Sequence, residues 1–274
     1  MFDVDIASHY ALGLEGDRLF IDGRPRLELV RTMELLERFL PPPPTSTIRA
    51  GGGTGVYAAL LAARGYEVRL IDPIELHVAE ATRAAHEGGL ANMSARLGDA
   101  RQLDEPDRDA DAVLLLGPLY HLTERADRLR ALTEATRVLR AGGVMCAVGI
   151  SRFASLLDGL KRRALSDPEF RAIVERDLFD GQHRNPMGEE RPEHFTTAFF
   201  HRPEELEREA RDAGFEHVEL FAIEGPGWMV ENVDDCDNQL FAARAVESER
   251  TLMSASSHIM VVGRASQATP PGAQ

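Results

Sequence analysis

Between residues 45 and 151 short apolar runs alternate with helical patterns, and no other feature of the chain restricts the fold as much. TSTIRA, EVRLID, SARLGD, AVLLLG and GVMCAVGIS are the strand candidates, separated by YAALLAARG, ELHVAEATRAAHEGG and ADRLRALTEATRVLR. Most of these runs are continuously apolar, the mark of strands buried on both faces, and parallel strands need crossover helices between them. The pattern predicts a doubly wound α/β fold. Ala141, Gly142 and Gly143, after Arg140, read as a glycine stop that ends the last of these helices and returns the chain to a strand.

The flanks divide the chain further. Leu27, Val30, Met33, Leu36 and Leu40 fall at helical spacing, so an amphipathic helix precedes the sheet until Pro41–Pro44 stop it. Residues 1–44 form an N-terminal helical segment, 45–151 the main core, 152–199 a helical insertion broken at Asp167 and Pro168, 200–266 the rest of the core, and 267–274 a disordered tail. An insertion after the fifth strand sits above the carboxyl ends of the strands, where such sheets bind ligands. It is read, together with the N-terminal segment, as a lid.

Size and composition fit this plan. A chain of 274 residues buries a sizeable core without staples, so the two cysteines, Cys146 and Cys236, need not be a disulfide framework. Cys146, in VMCAVGI, reads as a buried core thiol. No apolar run approaches the roughly 20 residues that span a bilayer, and MFDVDIASHY lacks the basic head of a secretion signal, so a cytoplasmic protein is expected. A net charge of −14 argues against a sequence-independent grip on nucleic acid and leaves small molecules as the expected partners.

The first strand candidate runs into AGGGTG. Gly51, Gly53 and Gly55 make GxGxG with Gly52 between them, and a glycine cluster between strand and helix lets backbone approach a ligand closely. Val56 stands where a dinucleotide site would have its third glycine. Asp72 ends the second strand, where a carboxylate can accept both hydroxyls of a ribose, and Asp99 closes the third. A nucleoside held across the sheet edge is the reading these strand ends support.

The ordered series AGGGTG, LIDP, GDA, LLLGPLYHL and LRAGG resembles the class I S-adenosylmethionine-dependent methyltransferases over residues 45–151, with a weaker likeness through 200–265. The resemblance implies a seven-stranded, mostly parallel sheet in the order 3-2-1-4-5-7-6. It implies that Gly51, Gly53 and Gly55 pass under the methionine part of the cofactor, that Asp72 binds the ribose, and that Pro73 and His77 flank the adenine. Asp99 and the Ala100 amide would read the adenine edge, and Leu116 and Gly117 would contact the methionine end. S-adenosylhomocysteine would be the product. Tyr10 and Arg31 are candidates to close over the methionine carboxylate, although a surface salt bridge is the plainer use of Arg31. The family usually carries an acid two residues before the first glycine; this chain has Arg49. Facing inward, Arg49 would repel the cofactor ammonium and draw the carboxylate; facing outward, as the intact remaining positions favour, it would leave the acid's work to backbone carbonyls near Leu116 or to another residue.

Methyl transfer from a sulfonium needs alignment above all, and a general base only where the nucleophile must lose a proton early. Tyr120 and His121, in GPLYHL, stand at the right place for such contacts, with His121 equally readable as a helix-entry residue packed over the cofactor. His194 and His201 bracket FTTAFF and are candidates too, the plainer reading of each being a structural histidine; His183, in DGQHRNP, reads as well as a solvated loop residue. No HExxH, CxxC, GxSxG or Tyr-x-x-x-Lys pattern suggests a metal, a hydrolase or a short-chain dehydrogenase. The expected function is methyl transfer to an O, N or C nucleophile of a small molecule, with a non-methylating S-adenosylmethionine binder, a sensor or a sulfonium-assisted catalyst, as the alternative. A homodimer through the amphipathic N-terminal helix is a further expectation.

Overall fold

The computed structural model describes residues 4–13, 15, 18–230 and 236–267. The expected disordered tail lies outside them apart from Gln267. The chain opens with α1 (Val4–Ala11), a hairpin of β1 (Phe20–Ile21) and β2 (Arg24–Pro25), and α2 (Leu27–Phe39). Then come β3 (Ser46–Ala50), α3 (Val56–Ala63), β4 (Glu67–Asp72), α4 (Glu75–Glu87), β5 (Met93–Leu97), β6 (Ala110–Leu115), the single turn α5 (Pro118–His121), α6 (Arg125–Val138) and β7 (Leu139–Ser151). The insertion holds α7 (Ala154–Lys161), α8 (Pro168–Asp180), β8 (Gln182–His183) and β9 (Ala198–His201). It is followed by α9 (Pro203–Asp212), β10 (Glu216–Ala222), α10 (Cys236–Ala245) and β11 (His258–Arg264).

The main sheet runs β10-β11-β7-β6-β3-β4-β5, with β11 antiparallel to both neighbours and the other pairs parallel. Counted along the core strands this is the expected 3-2-1-4-5-7-6. The alternation inside each strand divides the core into two layers. Leu70 and Leu114 face Leu36 and Leu61, while Ile48, Ile71 and Leu115 face Leu132, all of them enclosed. Burial of each such side chain contributes about 1.5–3 kcal/mol, which is why the strands had to be apolar on both faces.

Three features depart from the sequence reading. The helix expected to run to Arg140 ends at Val138, and β7 has already begun at Leu139. Gly142, at φ +75°, makes an irregularity inside the strand, where the register with β6 shifts between Ala110 and Ala112. The hairpin β8–β9 was not expected; β9 extends the sheet parallel to the open end of β7, pairing Ile150 with Phe200. Finally, α2 spends its apolar face within the chain, with Leu35 and Leu36 fully buried, so that face supplies no reason for a homodimer. Asp167, by contrast, does what its place before Pro168 suggests: its carboxylate accepts the Glu169 N–H at 3.0 Å and caps α8. Cys146 is buried, and burial pushes its thiol up to about 12. Among the described residues no helix is long and apolar enough to cross a membrane.

Candidate active site

The turn from β3 into α3 wraps one side of a cavity at the carboxyl ends of the strands. Gly53, at φ +57°, is the position that only glycine suits: a Cβ there would meet no protein atom within 4 Å and would project into open space. Gly51 and Gly52 also line the cavity, but their missing Cβ atoms make room for Pro118 and Leu70. Gly55 departs from expectation, since it does not line the cavity; a Cβ there would come within 2.8 Å of Ala81, so this glycine lets α3 lie close against α4.

Across from the loop, β4 delivers Asp72, buried, at the cavity wall with Pro73 and His77. Its Oδ2 accepts the Gly53 N–H at 2.8 Å and its Oδ1 accepts the Ile74 N–H at 2.9 Å. His77 Nδ1 lies 3.0 Å from Oδ1, leaving Nε2 buried and without a partner. Asp99 and Ala100 complete this end. Burial works to raise the Asp99 pKa, but the side-chain and backbone hydrogen bonds from Arg101 outweigh it and hold the carboxylate below its usual range. Leu116 and Gly117, just past β6, close the near end.

Arg49 faces this cavity, contrary to the outward orientation expected. The reason is topological: β3 lies between β4 and β6 with both faces covered, so neither side of the strand offers solvent. Its Nη1 donates to the Gly51 carbonyl at 3.1 Å, its guanidinium sits 5.5 Å from the Tyr57 ring, and its Nε is buried without a partner. Among the described residues no carboxylate pairs with it, and burial lowers its pKa. Arg31 does not reach the cavity. It is fully buried elsewhere, donating to the Ile223 carbonyl and pairing with Glu34 and Glu247, so it is not the exposed salt bridge either.

The N-terminal segment supplies Tyr10, Glu15 and Arg18 to the cavity wall. Tyr10 places its hydroxyl 2.6 Å from His121 Nε2 and its ring edge-on to His77, with centroids 4.9 Å apart. His121 Nδ1 faces the Thr197 carbonyl at 3.4 Å; because a carbonyl only accepts, the proton is on Nδ1 and the Nε2 lone pair receives the Tyr10 O–H. Burial drives the His121 pKa down to about 4, so the ring is neutral. Tyr120 packs against it at 4.7 Å between ring centroids.

A second cavity, of 250 Å³, adjoins the first and shares Tyr10, Glu15, Arg18 and Tyr120 with it. The insertion provides much of its lining, including Ser155, Phe170 and His194. His201 reaches neither cavity; it is fully buried 3.4 Å from Glu209, beside Gly149. His183 is not a solvated loop residue: it is buried, bonded to Asp177 at 2.9 Å and to the His194 carbonyl at 2.8 Å, and stacked on Phe200.

Residues 48–143 match a family described as a methyltransferase domain. An S-adenosylmethionine-dependent methyltransferase from Mesorhizobium loti shares the fold at a TM-score of 0.58 and 16% identity, over 87% of this chain and 100% of that one. Residues 48–143 are thus a methyltransferase domain. A Thermotoga maritima structure described as an S-adenosylmethionine-dependent methyltransferase, possibly a histamine N-methyltransferase, is similar to it at a TM-score of 0.57 and 18% identity, over 95% and 98% of the two chains. The 4+2 cyclase SpnF shares the same fold at 0.56 and 19%, over 88% and 82%. The cofactor of the methyltransferase domain is S-adenosylmethionine, with S-adenosylhomocysteine as product. The nucleoside half of the site fits that group: Gly53 leaves open space, Asp72 is fixed at a strand end, and His77 keeps an unused lone pair. Arg49 lines the same cavity at the position where the resemblance places an acid. Sequence reasoning missed Glu15, Arg18 and Ser155. The i, i+3 pairing of Glu15 with Arg18 was a readable signal; Ser155 had none.

Proposed function

We propose that the chain transfers a methyl group to an O, N or C nucleophile of a small molecule by direct displacement, with the acceptor in the second cavity. The observation that supports this most is the adjacency of the two cavities: Tyr10, Glu15, Arg18 and Tyr120 line both, so the cavities meet at these four side chains. When bound, the cofactor supplies an electrophilic methyl. The Gly53 backbone and Asp72 orient the nucleoside, while the Tyr10 and Tyr120 rings keep water from the junction. Where the nucleophile must lose a proton, it can pass to the Tyr10 oxygen as the Tyr10 hydroxyl proton moves to His121 Nε2. His194 is the weaker candidate for a base, because the guanidinium of Arg191 lies 3.2 Å from its Nε2, and a guanidinium can only donate.

The non-methylating alternative keeps one specific support, the buried Arg49 at the methionine end. A cyclase with the same fold shows that the architecture alone does not decide between the two. The deciding experiment uses S-adenosylmethionine with a labelled methyl group and the small-molecule fraction of a cell extract. Label appearing in a small product supports the proposal. Cofactor that binds yet never loses its label in the presence of bound extract compounds overturns it. The Tyr10→Phe and His121→Ala variants should then lower turnover by about 100-fold without changing S-adenosylhomocysteine affinity, if the acceptor is one whose proton must leave.

A further inference from the structure

We infer that the second cavity selects an uncharged aromatic acceptor carrying an oxygen that accepts a hydrogen bond, read by His194 Nδ1–H and Ser155 Oγ. This rests on the proposed role of that cavity as the acceptor site. Six Phe, Tyr and Trp rings line it, those of Tyr10, Tyr120, Phe170, Phe195, Phe200 and Trp228, and rings packed against rings prefer a flat aromatic guest.

The charges on the wall are already satisfied within the protein. Arg162 pairs with Asp158 at 2.6 Å, Arg18 with Glu28 at 2.6 Å, Glu193 with Arg191 at 2.7 Å, and His258 with Glu224 at 2.6 Å. A carboxylate or ammonium brought into the cavity would be desolvated without a free counter-charge, and that penalty outweighs the gain from rings.

Two polar atoms are left over. Ser155 Oγ and His194 Nδ1 are buried without hydrogen-bond partners, on residues that are 8% and 3% exposed and both line this cavity. Their chemistry is fixed by their surroundings. Arg191 donates to His194 Nε2, so the neutral ring carries its proton on Nδ1, which is a donor. Burial, with the Arg191 guanidinium beside it, keeps this ring below the usual histidine range and hence neutral. The Ser155 hydroxyl can donate as well. A buried donor without an acceptor is costly, and a carbonyl, ether or hydroxyl oxygen on the guest supplies the acceptor.

Trp228, the only tryptophan of the chain, lines the cavity and reports its occupancy by fluorescence. The full chain, saturated with S-adenosylhomocysteine at pH 7.5, is titrated with acetophenone, benzoate, benzylamine and toluene. Acetophenone should quench Trp228 with a dissociation constant at least about tenfold below those of benzoate and benzylamine, and also below that of toluene. His194→Phe and Ser155→Ala should each weaken acetophenone about fivefold while leaving toluene unchanged, which a merely structural role would not do. Benzoate or benzylamine binding as tightly as acetophenone overturns the inference, as does equal loss of acetophenone and toluene in both variants. A Trp228 signal indifferent to all four probes, in protein that binds S-adenosylhomocysteine, also overturns it. If S-adenosylhomocysteine fails to bind, the methyl-transfer reading falls, and the order among the four probes still decides the preference of the cavity.

Discussion

Replacing Arg49 by methionine should move stability and binding in opposite directions. Arg49 is 5% exposed and its guanidinium has no carboxylate partner among the described residues, so folding carries most of the desolvation cost of a lone cation. That cost is several kcal/mol per ion after relaxation, offset in part by the Gly51 carbonyl and the Tyr57 ring. Methionine keeps the length and removes the charge, and the variant should gain about 1–3 kcal/mol. For a chain of this size that is a rise of about 2–4 °C in Tm per kcal/mol. Toward a ligand the sign reverses. A close charge pair near a protein surface interacts by about 4 kcal/mol before desolvation is subtracted, and a hydrogen bond to a charged group is worth about 1.5–3 kcal/mol net. If Arg49 holds the cofactor carboxylate, the variant should bind S-adenosylhomocysteine about 10- to 150-fold more weakly by calorimetry. It should bind 5′-methylthioadenosine, which has no amino-acid end, as the parent does. Arg49→Asp should weaken S-adenosylhomocysteine further, since it removes the partner and adds repulsion. A methionine variant that melts higher and binds both ligands unchanged would refute the anchoring argument, and equal loss of both ligands would mean a damaged loop.

Gly53→Val should abolish S-adenosylhomocysteine binding, because its Cβ enters the open space of the cavity, whereas Gly55→Val should first lower Tm through its contact with Ala81. If its carboxylate holds the nucleoside half, Asp72→Ala should weaken S-adenosylhomocysteine and 5′-methylthioadenosine alike, by about 1.5–3 kcal/mol. His121 has its folded pKa depressed to about 4 from an ordinary value near 6.5. Its stability contribution is therefore complete above about pH 6.5 and is lost as pH falls toward 4, because the unfolded chain takes up the proton first. Urea titrations across that window should show a steeper acid loss in the parent than in His121→Phe. Leu114→Ala, at the centre of the sheet, should cost about 2–5 kcal/mol in the same titrations.

Much of the sheet was legible because its strands sit deep enough to be apolar on both faces, and the runs ending in Ala50, Asp72 and Leu115 show that directly. Asp72 was legible for the same reason, as an acid at the end of an otherwise apolar run. Arg49 was misread although the decisive fact was present in the pattern: a residue on a central, doubly covered strand has no outward side. The pairs β1–β2 and β8–β9 contain two-residue strands, too short for any periodicity. His183 gave no sign of burial, since its partner Asp177 lies on the preceding helix and the pairing depends on how α8 returns through Gly181. The end of α6 was placed two residues late because LRAGG suits a helix stop and a strand irregularity equally well. The second cavity was out of reach, being assembled from N-terminal, insertion and C-terminal residues that no local pattern links.

The shared wall has a thermodynamic consequence. Tyr10, Glu15, Arg18 and Tyr120 belong to both cavities at once. Tyr10 is held by His121 on one side and is a wall of both cavities, so a ligand that shifts it in one cavity reshapes the other. The two ligands are then energetically linked: whatever factor the nucleoside imposes on acceptor affinity, the acceptor imposes on the nucleoside. A factor above one makes each ligand hold the other in place, and a factor below one makes each expel the other.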